Sequence, residues 1–254
     1  MQQKDRALRL ASLHVKGNPL VLYNAWDAGS AKAIVNAGAS VVATSSWAVA
    51  AAHGYDDGES IPLSFVERIV ARIVNAVEVP VTVDAEGGYS DDPNVCAQNI
   101  SRLMDLGVVG INFEDRIVSG RGLYTIEAQC KRIAAIRAMA NMRDIPLFIN
   151  ARTDLFLGTG IEPAKGLPEA LERAAAYAEA GASGFFVPGL VDLKAIAELC
   201  EKIELPLNVM TMQGLADAPA LAEAGVARIS HGPAPYLRAM EALRASAHEA
   251  FARS

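Results

Sequence analysis

The chain has 254 residues, 52% of them hydrophobic, and a formal net charge of −6. This charge argues against a nucleic-acid partner, because phosphate binding needs clusters of Lys and Arg that the sequence lacks. No apolar run reaches the roughly 18 residues of a membrane span, and the first residues lack the apolar core of a signal peptide. We therefore expect a cytoplasmic protein with no membrane partner.

Short apolar runs rich in β-branched residues recur along the chain and predict eight strands. In chain order they are LVLYNA (20–25), SVVATSS (40–46), VPVTVDA (79–85), VVGINFED (108–115), IPLFINART (145–153), GFFVPG (184–189), LPLNVM (205–210) and VARIS (226–230). Each run is almost continuously apolar, as is typical of a parallel sheet that is covered on both faces.

Longer segments with helical periodicity separate these strands, and they are long enough for right-handed crossovers. Gly38, Gly107, Gly181 and Gly225 follow four of them and are typical of helix ends. Eight βα units in this length predict a single α/β domain over residues 1–254, a (β/α)8 TIM-type barrel. A doubly wound open sheet is the alternative, but no GxGxxG follows the first strand.

Polar residues follow most of the predicted strands, and the active site of a barrel lies at those carboxyl ends. They are Tyr23 to Asp27, Ser45 and Ser46, Asp84 and Glu86, Glu114 and Asp115, Arg152 and Asp154, Asn208, and Ser230 with His231. Asp57 adds a carboxylate from the loop after the second strand. Several negative charges therefore converge on one mouth, and their repulsion is costly unless a cation lies between them.

Oxygen ligands without a His or Cys cluster favour a hard cation. Mg²⁺ suits the site because it keeps several waters and takes few carboxylates, and Mn²⁺ is an alternative. We expect Asp84 to bind the metal directly, and Glu86 and Glu114 to bind it directly or through water. The planar guanidinium group of Arg152 suits binding of a substrate carboxylate. Alternatively, Arg152 forms a salt bridge with Glu114 or Asp154.

The segments TSSWAVAAAHGYDDG, VDAEGGY, GINFED and INARTD follow one another in this order. Together they resemble the isocitrate lyase and phosphoenolpyruvate mutase superfamily, over about residues 20–233. Members of that superfamily act on 2-oxo or 2-hydroxy carboxylates through a magnesium-bound enolate or a related oxyanion.

The resemblance also implies roles for particular residues. Asp57 corresponds to an essential loop aspartate, Asp84, Glu86 and Glu114 to the magnesium-binding acids, and Arg152 to the substrate arginine. The segment Ser45, Ser46 and Trp47 corresponds to the backbone that holds the substrate carboxylate. At the ends of the first and seventh strands, Tyr23 and Asn208 complete the set of substrate-binding candidates.

One stretch departs from the superfamily pattern. Lyases of this group carry a Lys-Cys-Gly-His loop after the fourth strand, whereas this chain has EDRIVSGRGLYTIE, with neither Cys nor His. Candidates for proton transfer are therefore Asp57, Tyr124 and His231. Within the same stretch, the glycines of Ser119 to Gly122 suit a mobile lid, from which Arg121 would reach an anionic substrate.

We therefore predict a Mg-dependent lyase or decarboxylase that cleaves a C–C bond of a small 2-oxo or 2-hydroxy carboxylate through a metal-stabilised enolate. A phosphonopyruvate-type C–P hydrolase or mutase and a non-catalytic 2-oxo acid binder are the alternatives. The resemblance further implies a homo-oligomer, a dimer or a tetramer, that exchanges its last helix between subunits. Packing of the helical tail on its own barrel is the other interpretation.

Overall fold

A computed structural model describes residues 2–253 of the chain. All eight predicted strands are present and shorter than the apolar runs that predicted them. They are β1 (Leu20–Leu22), β2 (Val42–Ala43), β3 (Val81–Asp84), β4 (Gly110–Glu114), β5 (Phe148–Arg152), β6 (Gly184–Phe186), β7 (Leu207–Met210) and β8 (Arg228–Ser230). Residues at the run ends leave the ladder because the chain turns there toward a helix.

The strands form one parallel sheet in the order β1-β8-β7-β6-β5-β4-β3-β2. A parallel bridge between Ala25 and Thr44 joins its two edges. Across this junction, the Ala25 amide donates to the Ala43 carbonyl at 2.8 Å and the Ser45 amide donates to the Ala25 carbonyl at 3.2 Å. The predicted (β/α)8 TIM-type barrel is therefore confirmed.

Ten helices occur among the described residues, and most of them surround this barrel. They are α1 (Gln3–Ser12), α2 (Ala28–Asn36), α3 (Ser46–Ala52), α4 (Leu63–Ala76), α5 (Pro93–Asp105), α6 (Ile126–Met142), α7 (Pro163–Glu179), α8 (Leu193–Lys202), α9 (Ala218–Glu223) and α10 (Ala234–Ala252). Gly38, Gly107, Gly181 and Gly225 follow α2, α5, α7 and α9 with φ between 91° and 105°, the left-handed conformation that ends a helix.

The opening at the amino ends of the strands is covered by α1. Its Leu10 is fully buried in a cluster with Val109 and Phe148, at the starts of β4 and β5. The site must therefore open at the other end of the barrel, where the strands have their carboxyl ends.

A polar layer fills the barrel interior below that end. Asp84 is in register with Asn112, Asn112 with Asn150, and Asn208 with Arg228, so these side chains share the inner face. The Asn112 Oδ1 accepts from Asn150 Nδ2 at 2.9 Å and from Arg228 Nη2 at 3.1 Å. This network supports the residues at the mouth from beneath.

The last helix, α10, makes little contact with its own barrel, since Pro235 is its one buried residue among those described. Leu237, Met240 and Leu243 are exposed on it. Exchange of this helix between subunits stays a prediction. Within residues 2–253, no helix is long and apolar enough to cross a membrane.

Candidate functional site

A cavity of about 290 Å³ opens at the carboxyl ends of the strands. Six of the predicted site residues line it: Ser45, Ser46, Trp47, Asp57, Asp84 and Arg152. They lie at the ends of β3 and β5 and in the segment after β2, which includes the start of α3. The expected convergence of these elements on one mouth is therefore present in the fold.

Asp84 lies on the wall of the cavity at the end of β3. Its Oδ2 accepts from the Ser46 hydroxyl at 3.0 Å and from the Ser46 amide at 3.4 Å. Its Oδ1 is buried and has no hydrogen-bond partner in the part of the chain that the structure describes. A buried carboxylate oxygen without a partner is unfavourable unless a ligand binds to it.

Glu86 lies just beyond β3, with a positive φ of 49° that turns the chain away from the strand. The side chain is 4% exposed, and its Oε2 accepts from the Glu59 amide at 2.7 Å. Burial, together with the charge of Asp84, raises the pKa of Glu86 to about 8. Glu86 is therefore largely protonated at neutral pH when no cation is close.

Glu114 ends β4 and is also buried. Its Oε2 lies 3.0 Å from the Arg152 Nη1. Burial raises the pKa of the Glu114 carboxyl, and the charge of Arg152 opposes this rise. Glu114 thus contacts the arginine that was predicted to bind substrate.

Arg152 ends β5, and carboxylates surround it on several sides. The Nε and Nη2 atoms donate to the two carboxylate oxygens of Asp154 at 2.5 and 2.8 Å. The Nη1 atom lies 3.0 Å from Glu114 and 3.8 Å from Asp84. These charges raise the pKa of Arg152 despite its burial. Both salt bridges foreseen as its other interpretation are present, while the side chain still lines the cavity.

A buried triad behind the site holds Asp154 in place. The Asp115 Oδ1 accepts from the Asp154 amide at 3.1 Å. Its Oδ2 accepts from Tyr177 Oη at 2.9 Å and from Arg173 Nη1 at 3.0 Å. Asp115 therefore orients the loop that orients Arg152. Position at a strand end drew attention to this acid, but the sequence does not reveal its partners on α7.

Among the three candidates for proton transfer, Asp57 alone lines the cavity. Asp57 is accessible to solvent, but the surrounding protein removes part of its hydration. This loss of hydration, together with the charge of Asp84, raises the pKa of its carboxyl. The Tyr124 ring instead packs under Arg132, with 4.2 Å between the guanidinium and the ring centroid. The His231 ring lies 5.0 Å from the ring of Tyr23. Arg121 is exposed and does not line the cavity either.

Two predicted substrate-binding residues lie away from the cavity wall. Tyr23 packs beside His231, and Asn208 lies in the polar layer, where its Oδ1 accepts from Ser230 Oγ at 3.2 Å. Sequence reasoning missed Asn112, which lines the cavity, whereas Asn24 and Ser230, which also line it, were among the polar residues expected at strand ends. The alternation of side chains along β4 carries a signal for Asn112, because it lies two residues before Glu114 and so on the same face.

Whether these acids suit a metal depends on how many can bind it at once. No group of three or more His, Cys, Asp or Glu side chains within residues 2–253 is arranged to hold a metal ion. The free Oδ1 of Asp84 nevertheless offers one direct oxygen ligand, with Glu86 and Glu114 nearby. This donor set fits a hydrated hard cation and does not fit an ion held by three carboxylates directly.

The chain is similar to known proteins over almost its whole length. The model of the family described as phosphoenolpyruvate phosphomutase matches residues 10–251. An uncharacterized protein of Mycobacterium tuberculosis is 35% identical over 242 residues, which cover 95% of this chain and 87% of that protein. A probable 2-methylisocitrate lyase 2 of Corynebacterium glutamicum is 32% identical, over 81% of this chain and 66% of the relative.

Solved structures agree with these matches. A crystal structure from Burkholderia cenocepacia J2315, provisionally named a phosphonomutase, is 43% identical to this chain and has a TM-score of 0.95. The similarity covers 98% of this chain and 100% of that one. The resemblance of the four sequence segments is thereby confirmed, and the chain belongs to the phosphoenolpyruvate phosphomutase family, within the superfamily of isocitrate lyase and phosphoenolpyruvate mutase.

Proposed function

We propose that the protein is a lyase or decarboxylase that depends on a divalent metal, Mg²⁺ or Mn²⁺, and cleaves a C–C bond of a small 2-oxo or 2-hydroxy carboxylate. The observation that carries this proposal is the buried, unpartnered Oδ1 of Asp84 on a cavity wall that also presents Arg152. Similarity to a probable 2-methylisocitrate lyase supports the type of reaction.

Asp84 would hold the metal directly, and Glu86 and Glu114 would hold it through bound water. A bound divalent cation would withdraw electron density from the substrate oxygen at carbon 2 and stabilise the negative charge that cleavage leaves behind. The cation would also favour the charged form of Glu86, since it offsets the repulsion between Glu86 and Asp84.

The chain's own side chains would orient the substrate. Arg152 would donate to the substrate carboxylate, because its guanidinium is held in one orientation by Asp154 and Glu114. Ser46 would fix Asp84 through its hydroxyl and its amide. Asp57 would take or deliver a proton at the cavity mouth, and burial together with the charge of Asp84 raises the pKa of its carboxyl, which favours that role.

A C–P hydrolase or mutase acting on a phosphonopyruvate-type acid is a second candidate. The 43% identity to a structure provisionally named a phosphonomutase favours it. The two candidates differ in their products, because C–P hydrolysis releases inorganic phosphate.

The test is to incubate the protein with MgCl₂ and oxaloacetate, isocitrate, methylisocitrate or phosphonopyruvate, and to measure pyruvate, glyoxylate and phosphate. We expect turnover that EDTA abolishes and that Asp84→Asn lowers by about 100-fold or more, the upper end of the loss that is typical for a residue supporting a metal ligand. The control is Asp144→Asn, which changes a surface aspartate paired with Lys4. Metal-dependent binding without turnover of these acids or of any other small 2-oxo or 2-hydroxy acid would instead indicate a non-catalytic 2-oxo acid binder.

A further inference from the structure

The cavity has two chemically different sides. Strands β2 to β5 supply its polar side with Ser46, Asp84, Asn112 and Arg152. The opposite side of the barrel supplies Phe186 from β6, Met210 from β7 and Met212 just beyond it. In a barrel of eight strands, β6 and β7 face β2 and β3 across the mouth. A substrate held by Asp84 and Arg152 would therefore point its far end at apolar side chains.

Close backbone approaches build this apolar wall. A Cβ at Gly189 would lie 2.6 Å from the carbonyl group of Phe156, so glycine lets the chain after β6 press against the segment that brings Leu157 into the cavity. A Cβ at Gly232 would lie 2.7 Å from the Met210 sulfur. Both glycines have positive φ, which other residues rarely adopt. The close packing of the apolar wall thus depends on a glycine at two separate positions, Gly189 and Gly232.

The charged group needed for a second carboxylate is missing from this wall. Arg152 is the one Lys, Arg or His among the residues that line the cavity, and Asp154, Glu114 and Asp84 already surround it. A carboxylate placed against Phe186 and the two methionines would lose its hydration without gaining a partner.

Other arginines near the site do not fill this role. Arg228 is 1% exposed beneath the cavity, where its Nε donates to Ser230 and its Nη2 to Asn112. Arg116 and Arg121 are exposed on the segment after β4, outside the cavity.

From this arrangement we propose that the substrate is a 4-hydroxy-2-oxo monocarboxylate with an apolar tail, seated on Leu157, Phe186, Met210 and Met212. Because it has no second carboxylate to lose as CO₂, its C3–C4 bond would break as the 4-hydroxyl group loses its proton, which releases an aldehyde carrying the apolar tail and leaves the enolate of pyruvate. The inference rests on the proposed function, because Asp84 and Arg152 are assumed to hold the substrate's 2-oxo acid end. It restricts the proposed substrates to acids with a single carboxylate, and it makes the apolar wall the determinant of specificity.

The experiment compares two acids of equal size, 2-oxoglutarate and 5-methyl-2-oxohexanoate, in which an isopropyl group replaces the far carboxylate. Affinities are measured with excess MgCl₂ by calorimetry and by the fluorescence of Trp47, which lines the cavity. We expect the branched acid to bind at least ten-fold more tightly, and Asp84→Asn to weaken the binding of both acids.

A charge placed on the wall tests its role directly. Met212 is 41% exposed, so Met212→Lys is compatible with folding, and we expect it to shift the preference toward 2-oxoglutarate by at least ten-fold. Met142→Lys is the matched control, because Met142 is 83% exposed at the end of α6, away from the cavity. It should leave the preference unchanged.

The outcomes separate the two proposals. If wild-type protein binds 2-oxoglutarate as tightly as the branched acid or more tightly, and this binding still requires Mg²⁺ and Asp84, the inference is wrong and the proposed function stands. If neither acid binds, the inference is wrong, and the turnover assay decides the proposed function separately. If either acid binds equally well to Asp84→Asn, the proposed function falls together with the inference.

Discussion

Replacing Glu86 by Gln tests whether burial and the charge of Asp84 make a negative charge at position 86 unfavourable unless a cation binds. The glutamine has the same size as glutamate and can still accept from the Glu59 amide. Position 86 then carries no charge at any pH, whereas wild-type Glu86 becomes charged as the pH rises through its raised pKa of about 8.

The magnitude follows from linkage between protonation and folding. Because the pKa is higher in the folded protein than its ordinary value of 4.5, the stabilisation by the bound proton is complete below pH 4.5 and is lost as the pH rises through about 8. Between pH 6 and pH 9 the metal-free wild type should lose about 3 kcal/mol of unfolding free energy relative to Glu86→Gln. Excess MgCl₂ should restore wild-type stability at pH 9, by about 2.7 kcal/mol at a hundred-fold excess over Kd.

Urea unfolding followed by tryptophan fluorescence, in EDTA and in MgCl₂, measures both effects. The control is Glu223→Gln, which changes an exposed acid on α9. Parallel pH profiles of wild type and Glu86→Gln in EDTA would refute the reasoning, since Glu86 would then lack the burial and repulsion that raise its pKa.

Three further predictions concern other parts of the molecule. Asp115→Asn should cost about 3–5 kcal/mol of unfolding free energy, because it breaks a buried ion pair with Arg173. Glu169→Gln removes a half-exposed partner of the same arginine and should cost less than about 1 kcal/mol; equal costs in urea unfolding would contradict this. Asp57→Asn should lower kcat by about 10²-fold or more, because Asp57 lies at the cavity mouth and would exchange a proton without holding the metal. Its Mg²⁺ affinity, measured by calorimetry, should change little, and a loss of that affinity would show a different role. Leu237→Glu combined with Leu243→Glu should convert an oligomer to monomers in light scattering, because both side chains are exposed on α10, whereas Glu241→Gln on the same helix should not; a monomeric wild type would remove the basis for this expectation.

Local features of the chain were enough to predict the barrel. Each strand is an apolar run. Glycines such as Gly38 and Gly107 end helices because they readily adopt the left-handed conformation with positive φ. The positions of the strand ends then follow from the order of elements, which is enough to place Asp84 and Arg152 at one mouth. Position alone was sufficient because all parallel strands deliver their carboxyl ends to the same edge.

Contacts between distant segments decided the rest. Tyr23 turned toward His231, and Asn208 entered the polar layer, because the direction of a side chain depends on strand register and not on distance from a strand end. Local pattern identified Asp84, Glu86 and Glu114 as a set of acids. Only the folded chain shows that a buried oxygen of Asp84 has no hydrogen-bond partner among the described residues, and that Glu114 contacts Arg152. The apolar wall formed by Leu157, Phe186, Met210 and Met212 was likewise invisible in the sequence. Its members lie on or just after three different strands, and they meet only because the barrel closes and two glycines allow close approaches.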